Sequence, residues 1–460
     1  MTSTSSPPAE MTVLSPHDGT PVGTLPCAGE EEVRGAIATA RAAAPDWART
    51  SPEERGRLVR AAADALAQHA EEVAALNTRE TGKLAHEALG GVLAGVGTLH
   101  QYAELGPVHR GHALRGGALA SDYTVAEPRG VVAAITPWND PVAVAAGLLG
   151  AALVTGNTVV HKPSERCPHT GARLGEILAA ALPDGVLVTV TGGPETGRLL
   201  TDQADLDVLA HVGSTETGRA IARAALDTGA HVIRENGGND PLVVDDDVDP
   251  AWAAEQAAIG AFTNAGQICT SVERIYVHRA VAEPFLHALA AEARQRNREA
   301  ALAPLVDRRM RDAVHGHVRA ALQDGATALE GGEVPEGAGS FYPATVLRDC
   351  TDAMQVMTEE TFGPVAPVRV VDSFAEGLHL ASRDRYGLAA TVLTGRIAHA
   401  QRAIAELPAG TVKVNNVFGG APGGAAQPRR DSGAGFGYGP ELLDEMTQVK
   451  VVHVEMPSSR

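Results

Sequence analysis

The segment Val131-Val-Ala-Ala-Ile-Thr-Pro-Trp-Asn-Asp-Pro-Val142, which continues through residues 143–162 as AVAAGLLGAALVTGNTVVHK, decides the fold. Val131 to Ile135 and Thr158 to Lys162 are short β-rich runs, and the apolar run Val142 to Val154 between them suits a buried helix. A strand, a helix and a second strand at this spacing predict one βαβ unit of a parallel sheet.

The same alternation extends on the C-terminal side of this unit. Strands are predicted at Val186–Val190, Val208–Val212, His231–Glu235, Leu242–Val244, Arg274–Val277, Val365–Val371, Ala389–Thr394 and Thr411–Asn415. Helices are predicted at Glu30–Ala44, Glu53–Thr78, Pro168–Leu182, Glu195–Thr201, Glu216–Ala225, Asp249–Asn264 and Val281–Ala301. The glycine-rich stretch Gly419–Gly439 is predicted to be a long loop or lid. The pattern predicts an α/β protein with two alternating regions, one on each side of Pro241.

Composition limits the function classes. The 460 residues, 44% of them hydrophobic, exceed what one hydrophobic core serves, so two large domains are expected. The net charge of -18 argues against a nucleic-acid partner. The longest apolar run, Val142 to Val154, is shorter than the roughly 20 residues that span a bilayer, and Met1–Pro8 lacks the features of a signal peptide. The widely spaced Cys27, Cys167, Cys269 and Cys350 fit a reducing cytoplasm.

Cys269 is the first candidate for chemistry. It ends the segment Phe262-Thr-Asn-Ala-Gly-Gln-Ile-Cys269, where a helix-like run breaks at Gly266. A thiolate just past such a turn attacks carbonyl carbons well, and its own backbone N–H faces the developing oxyanion. The alternative is a small buried residue, which is the usual role of a free cysteine.

Polar residues follow the predicted strands, at the end of the sheet where doubly wound folds bind ligands. They are Asn139, Lys162, Glu165, Gly192, Gly193, Gly213, Ser214 and Glu235. Gly213 and Ser214 precede a helix, where free N–H groups favour a pyrophosphate, although a plain strand-to-helix turn explains them equally. Lys162 and Glu165 leave one strand end together and suit a ribose or, alternatively, a surface ion pair. The standard glycine fingerprint of a dinucleotide site is absent.

Six motifs occur in a familiar order. They are Pro137-Trp138-Asn139, Lys162-Pro-Ser-Glu165, Gly213-Ser-Thr-Glu216, Glu235-Asn-Gly-Gly238, Asn264-Ala-Gly-Gln-Ile-Cys269 and Glu359-Glu-Thr-Phe-Gly-Pro-Val365. In order and spacing the chain resembles the aldehyde dehydrogenase superfamily over about residues 10–457, and the segment around Cys269 looks most similar to the succinate-semialdehyde dehydrogenase branch.

This resemblance implies two Rossmann-like doubly wound domains, one for the cofactor and one for catalysis, plus a small β oligomerisation arm. The implied NAD-binding domain comprises residues 1–109 and 129–236, and the catalytic domain residues 237–428. Residues 110–128 and 446–457 would form the oligomerisation strands of a homodimer or homotetramer, and residues 429–445 a late loop near the active site.

The resemblance also implies a mechanism. Cys269 would attack a small-molecule aldehyde, and the Asn139 amide and the Cys269 N–H would stabilise the oxyanion of the thiohemiacetal. Hydride would pass to the nicotinamide, and Glu235 would activate water against the resulting thioester. Lys162 is included among the catalytic residues. Without the resemblance, Glu235 would be interpreted as a helix cap or ion-pair carboxylate.

The cofactor implied is NAD, with NADP possible. Lys162 and Glu165 would lie at the adenosine ribose, Ser214 at the pyrophosphate and Glu360 at the nicotinamide ribose, with Phe362 beside it. A carboxylate such as Glu165 repels a 2′-phosphate and so favours NAD, and Lys162 weakens this preference. The other implied cofactor-binding residues are Thr136, Pro137, Trp138, Ser164, Gly193, Gly213 and Gly237. Glu360 has a surface acid as its alternative interpretation.

The chain departs from the family pattern at three places near the site. Asn236 stands where Leu is usual after the base, His211 replaces a common Phe, and Gly437 occupies the position of an acidic residue that some members use as a second proton relay. Thr270 follows the nucleophile, so a vicinal disulfide is not expected. No metal site is predicted, because the acidic run Asp245–Asp247 is typical of a solvated helix start.

Three rival functions stay open on sequence alone. A CoA-acylating enzyme is disfavoured by Glu235, because that branch generally lacks the base. A cofactor-independent cysteine hydrolase would use Cys269 and Glu235 without NAD. An inactive binding protein is conceivable from Asn236 and the altered late loop. A carboxylated substrate would need a cationic partner, and the sequence does not place Arg274, Arg429 or Arg430 at the site.

Overall fold

The computed structural model describes residues 10–299, 301–419 and 426–455. The strands are β1 (Glu10–Leu14), β2 (Pro21–Pro26), β3 (Ala113–Leu114), β4 (Ala120–Pro128), β5 (Val131–Ile135), β6 (Thr158–Lys162), β7 (Leu187–Thr189), β8 (Val208–Val212), β9 (His231–Glu235), β10 (Asp240–Val244), β11 (Val272–His278), β12 (Thr327–Glu330), β13 (Thr345–Arg348), β14 (Val365–Val371), β15 (Ala389–Leu393), β16 (Thr411–Val414), β17 (Gly433–Ala434) and β18 (Thr447–Glu455).

The α-helices are α1 (Glu30–Arg49), α2 (Pro52–Gln68), α3 (Ala70–Thr81), α4 (Ala85–Leu105), α5 (Pro141–Val154), α6 (Pro168–Ala179), α7 (Pro194–Thr201), α8 (Thr215–Thr228), α9 (Pro250–Phe262), α10 (Arg279–Arg298), α11 (Arg308–Gln323), α12 (Gln355–Thr358), α13 (Phe374–Ser382), α14 (Ile397–Glu406) and α15 (Leu442–Glu445). The predicted single helix Glu53–Thr78 is wrong, because the chain breaks at His69 between α2 and α3. Its helical periodicity persists across the break, which is why the sequence does not reveal it.

A six-stranded sheet with the order β17-β9-β8-β5-β6-β7 contains the segment that decides the fold. Strands β5 to β9 are parallel, and β17 adds antiparallel to β9 at one edge. Helix α5 begins with Pro141 at its first turn and is buried over most of its surface, because α4 packs on one side of it and the sheet on the other. The apolar pattern of this helix therefore reflects burial on several sides.

A seven-stranded sheet with the order β12-β13-β14-β11-β10-β15-β16 forms the second unit. All neighbours are parallel except β12, which pairs antiparallel with β13. Helices α9 and α10 cover one face, with Leu242 and Phe285 in that core, and α11, α13 and α14 cover the other, with Val243 and Phe374. Two covered faces and crossover helices are what doubly wound parallel sheets require.

Strands β4 and β18 pair antiparallel over their whole length, and the short β3 adds to β4. The outward residues Val449 and Val451 of β18 are 70% and 67% exposed. This three-stranded sheet thus presents an apolar row that a monomer leaves uncovered.

Residues 420–425 of the predicted loop Gly419–Gly439 lie outside the described residues, as do residues 1–9 of the predicted cofactor domain and residues 456–457 of the predicted arm. Within the rest of that loop, Ala426 bridges to Tyr438. No helix in the described part of the chain is both long and apolar enough to cross a membrane.

Candidate active site

The loop that carries Cys269 is shaped by three residues with positive φ. Helix α9 ends at Phe262, two residues earlier than predicted, and Asn264 and Ala265 adopt φ of 50° and 53° before Gly266 at 72°. A Cβ on Gly266 would lie 2.1 Å from the carbonyl oxygen of Gly363, so only glycine fits here. The turn therefore ends the helix and carries the chain into the short segment that presents Cys269.

Glu235 reaches Cys269 from the other sheet. It is the last residue of β9, and its Oε1 lies 3.7 Å from the Cys269 Sγ, which donates the hydrogen bond. The backbone carbonyl of Glu235 accepts from Gly213 N at 3.0 Å, which ties the end of β9 to the turn before α8. The nucleophile and the base predicted from the sequence are thus brought into contact by the two sheets.

Burial and negative charge set the protonation of this pair. Burial raises the pKa of Glu235 to about 7, although the hydrogen bond from Cys269 opposes this. Burial raises the pKa of the Cys269 thiol well above its usual value, and the charges of Glu235, Asp240 and Glu360 raise it further. At neutral pH the resting thiol is therefore protonated, and its nearest proton acceptor is Glu235.

Asn139 is held at the start of α5, next to the Cys269 loop. Its Nδ2 donates to the carbonyl oxygen of Gln267 at 3.1 Å. The backbone carbonyl oxygen of Asn139 accepts from Lys83 Nζ at 3.2 Å and from Asn264 Nδ2 at 3.3 Å. One amide nitrogen carries two donors, so the Asn139 side chain has a second N–H besides the one that it gives to Gln267.

Gly237 makes room for Glu360, and Gly238 donates a hydrogen bond to it. Glu360 Oε1 accepts from the N–H of Gly238 at 2.9 Å, and a Cβ on Gly237 would lie 2.1 Å from Glu360 Oε2. Burial raises the pKa of Glu360 to about 7. The carboxyl of Glu360 therefore lies against the backbone of Gly237 and Gly238, close enough to raise the pKa of the Cys269 thiol.

The segment after Glu360 is fixed by a carboxylate that the sequence did not reveal as functional. The N–H groups of Thr361 and Phe362 both donate to Glu273 at 2.9 Å. Phe362 has φ of 53°, and its ring meets the ring of Trp138 edge-on with centroids 5.6 Å apart. Glu273 lies in β11 between Val272 and Arg274, and these neighbours do not mark it as a buried acid.

Lys162, which the sequence predicts to bind the cofactor, ends β6 with a buried ammonium. Lys162 is 3% exposed, and its Nζ donates to the carbonyl oxygen of Pro163 at 3.0 Å without an ion pair among the described residues. Glu165 lies half-buried beside it, with Oε2 3.5 Å from Ser164 Oγ. Thr136 on the neighbouring strand bonds His161. A buried ammonium with unused donors beside a carboxylate fits the hydroxyls of a ribose.

The predicted phosphate residues stand at two helix starts. Ser214 caps α8 through its hydroxyl, which accepts from Thr217 N at 3.3 Å, and Gly193 precedes Pro194 at the start of α7. No Cβ contact would form at Gly193, so the backbone there borders open space. Both positions lie at the carboxyl end of the six-stranded sheet, together with Lys162 and Glu235.

Asn236 and His211, two of the departures from the family pattern, are both buried. Asn236 donates from Nδ2 to Asp431 O at 2.9 Å, and a Cβ on Gly218 of α8 would lie 2.0 Å from its Oδ1. His211 is buried, and burial lowers its pKa to about 4, which keeps the ring neutral. Asn236 therefore contacts α8 and the late loop, and no contact joins its amide to the Glu235 carboxyl among the described residues.

The acidic run Asp245–Asp247 pairs with an arginine, and His315 and His317 of α11 bond two different partners. Arg396 lies 3.3 Å from Asp245, contacts Asp246, and is 3.9 Å from Asp247, so a guanidinium supplies the positive charge at this cluster. His315 bonds the Tyr342 hydroxyl at 3.2 Å, whereas His317 bonds Thr361 at 3.1 Å.

Comparisons with known proteins agree with this geometry. The family model described as "Aldehyde dehydrogenase family" matches residues 2–452. An alpha-ketoglutarate semialdehyde dehydrogenase of Haloferax volcanii is 37% identical over 401 residues, which cover 84% of this chain and 83% of that protein.

Solved structures are similar over nearly the whole chain. A crystal structure of an NAD-dependent aldehyde dehydrogenase from Sinorhizobium meliloti has a TM-score of 0.95 at 32% identity, and the match covers 98% of this chain and 92% of that one. A betaine aldehyde dehydrogenase from Staphylococcus aureus, crystallised with NAD+, has a TM-score of 0.94 at 29% identity, with 98% and 93% covered. The predicted α/β fold with two doubly wound units is confirmed.

Proposed function

Because the chain belongs to the aldehyde dehydrogenase family, we propose that it is an NAD-dependent enzyme that oxidises an aldehyde to a carboxylic acid through a thioester on Cys269. The observation that carries the assignment to these residues is the 3.7 Å contact between Cys269 Sγ and Glu235 Oε1. A thiol in contact with a carboxyl whose pKa lies near neutrality is a nucleophile paired with its base.

In the first step Glu235 takes the proton of Cys269, and the thiolate attacks the aldehyde carbon. The oxyanion that forms is stabilised by the free N–H of the Asn139 amide and by the backbone N–H of Cys269, which has no partner within the described residues. Each such donor typically contributes about 10²–10³ in rate. NAD, when bound, accepts the hydride from the carbon attached to the sulfur.

In the second step Glu235 removes a proton from water, which attacks the thioester carbonyl and releases the acid. The carboxyl must be ionised to act as a base, and a pKa of about 7 leaves it half ionised at neutral pH. The same carboxyl serves both steps. It releases the proton taken from Cys269 to solvent before it accepts the proton of water, and it returns that second proton to the Cys269 thiolate when the acid leaves.

We propose that Lys162 and Glu165 bind the adenosine ribose, that Ser214 faces the pyrophosphate, and that Glu360 binds the nicotinamide ribose. Thr136, Pro137, Trp138, Ser164, Gly193, Gly213, Gly237 and Phe362 complete the proposed cofactor site. For Glu360 this role requires its carboxylate to leave the Gly238 N–H. The half-buried carboxylate of Glu165 supports NAD over NADP by repelling a 2′-phosphate.

The domain division proposed from the sequence is retained. Each region on either side of Asn236 contributes one doubly wound sheet, which supports residues 1–109 and 129–236 as the cofactor domain and residues 237–428 as the catalytic domain. Residues 429–445 remain the proposed late loop, since Gly433 pairs with Glu235.

We further propose a homodimer or homotetramer in the cytoplasm. The exposed valines of β18, paired along β4, support residues 110–128 and 446–457 as the arm that joins subunits. Sedimentation of the purified protein tests this proposal, because a monomer at micromolar concentration would contradict it.

As substrate we propose a semialdehyde, the class named for the relative from Haloferax volcanii. The CoA-acylating alternative is disfavoured, because that reaction has no use for a water-activating base beside the nucleophile.

The proposed function is tested with purified protein, NAD and a panel of aldehydes. Absorbance of NADH and formation of the free acid are expected without added thiol. If product forms only when CoA is added, as an acyl-CoA, the hydrolytic step is contradicted. Ester hydrolysis at a rate that does not depend on NAD would support a hydrolase. Comparing kcat/KM across the panel identifies the substrate.

The rate of turnover should depend on pH through Glu235. Ionised Glu235 is the active form, so kcat is expected to rise between pH 6 and pH 8 with an apparent pKa near 7 and to level off above it. Steady-state kcat over this range, measured at saturating NAD, checks this expectation. A kcat that stays constant across the range would show that Glu235 does not limit turnover through its ionisation.

Gly437 leaves space for the base. A Cβ at this position would lie 2.2 Å from Glu235 Oε2, so Gly437→Ala is expected to displace the carboxyl and lower kcat about 10- to 100-fold. Gly90→Ala on α4 is the control, because a Cβ there meets open space. If Gly437→Ala turns over at the wild-type rate, the carboxyl does not need its present position.

A further inference from the structure

Lysine is rare in this chain, and its positions are informative. Among the 38 basic residues only Lys83, Lys162, Lys413 and Lys450 are lysines. Lys83 holds the carbonyl oxygen of Asn139, Lys162 lies in the proposed ribose site, and Lys450 pairs with Glu127 on the outer sheet. Arginine carries nearly all of the positive charge of the chain. A lysine at position 413 is therefore unusual, and its compact ammonium on a flexible side chain differs in chemistry from a guanidinium.

The ammonium of Lys413 is largely unsatisfied. Its Nζ donates to the carbonyl oxygen of Val417 at 2.7 Å and lies 5.5 Å from the centroid of the Phe418 ring. No carboxylate lies within ion-pair distance of it in the part of the chain that the structure describes. An ammonium has three donors, and a half-buried one that uses a single donor leaves capacity for an anionic ligand.

The register of the seven-stranded sheet places Lys413 on the same face of the sheet as helix α9, which leads to Cys269. Lys413 of β16 pairs with Thr391 of β15, which pairs with Leu242 of β10. Paired residues of parallel strands point to one face, and Leu242 packs in the core beneath α9. Helix α9 leads directly into the loop of Cys269, so Lys413 lies on the Cys269 side of the sheet.

The loop after β16 contacts helix α9 through Val417. A Cβ on Gly260, in the last turn of α9, would lie 3.3 Å from the Val417 side chain. The loop that receives the Lys413 hydrogen bond therefore packs against the end of the helix that presents Cys269. Electrostatics agree with this proximity: burial lowers the pKa of Lys413, and Asp240 and Cys269, in their ionised forms, raise it again.

The surroundings of Cys269 are otherwise acidic. Glu235, Asp240 and Glu360 all raise the pKa of its thiol, and Glu235 and Glu360, partly ionised at neutral pH with pKa values of about 7, would repel a substrate that carries a carboxylate. Arg274 and Arg430, two of the three arginines considered from the sequence, do not offset this charge. Arg274 is buried and paired with Asp384 at 3.1 Å, and Arg430 is exposed and bonds the carbonyl oxygens of Ser382 and Asp384.

We propose that Lys413 binds the carboxylate of an ω-oxo acid whose aldehyde end reaches Cys269. This inference rests on the proposed function and names the residue that selects its substrate class. The ammonium would exchange part of its contact with Val417 O for a charge-assisted hydrogen bond to the substrate. Neutral aldehydes of the same length lack this partner.

The test compares Lys413→Met with the wild-type enzyme on two substrates of equal length, 4-oxobutanoate and butanal. The wild type should prefer 4-oxobutanoate. Lys413→Met should lower kcat/KM for 4-oxobutanoate roughly 10- to 100-fold, which is the usual effect of one hydrogen bond to a charged group, and should change kcat/KM for butanal less than about threefold. Lys413→Arg should recover part of the loss.

Butanal turnover also shows that the variant is folded and that its thiol is active. Arg402→Met is the control, because it removes a positive charge from the exposed face of α14 where Arg402 pairs only with Glu406. An equal loss of kcat/KM on both substrates would mean that Lys413 acts on the thiolate or on folding, and it would overturn the proposal. So would a wild type that prefers butanal, or a variant that loses nothing. Absence of NADH with every aldehyde would instead overturn the proposed function.

Discussion

Cys269→Ala should abolish NADH formation. The thiol is the only group in the described site that is placed to form the covalent adduct, and loss of a nucleophile typically lowers kcat by on the order of 10⁴-fold or more. Without the adduct there is no tetrahedral carbon from which hydride can leave. Binding of NAD should be unchanged, because the proposed cofactor contacts at Lys162 and Ser214 belong to the other sheet.

The control for this variant is Cys350→Ala. Cys350 is 3% exposed in the core of the second unit and contacts no residue of the candidate site. Its substitution should cost some stability and leave kcat per folded molecule unchanged. Residual turnover of Cys269→Ala within tenfold of the wild type, measured by NADH absorbance, would rule out Cys269 as the nucleophile.

Glu235→Gln should separate the two halves of the reaction. Hydrolysis needs a base and should fall by about 10²–10⁴-fold. The first turnover should also slow, because the resting thiol is protonated and Glu235 is its proton acceptor. We therefore expect a burst of NADH that approaches one per active site, forms more slowly than in the wild type, and is followed by a stalled steady state.

Stopped-flow absorbance measures both phases of this variant. Glu406→Gln, an exposed acid on α14, serves as the control and should keep wild-type rates in both phases. A fast, full burst would show that another group takes the thiol proton. A wild-type steady state would remove Glu235 from the hydrolytic step altogether.

The parts of the site that the sequence predicted are those with local signals. Strands β5, β6, β8 and β9 have the predicted bounds, because β-rich runs ended by polar residues leave little ambiguity. Cys269, Glu235 and Asn139 were identified from motifs whose order specifies the fold, and the structure brings the three together.

The parts that could not be predicted depend on contacts between distant segments. Asp240 and Glu273 are buried carboxyls in strands, where burial raises the pKa of each to about 8, and the sequence offers no sign of burial for a single acid in a short apolar run. Gly437 faces Glu235 only because β17 folds back onto β9. Lys413 alternates with valines, a pattern equally typical of an edge strand with one exposed face.

The central claim is that an acyl group passes through Cys269 and is released by Glu235. The most direct measurement is the mass of Glu235→Gln after mixing with NAD and an aldehyde, followed by digestion. The account predicts one acyl group per chain, on the peptide that contains Cys269, and its loss in hydroxylamine. An unmodified Cys269 peptide after NADH has formed, or an acyl group on another residue, would contradict the account.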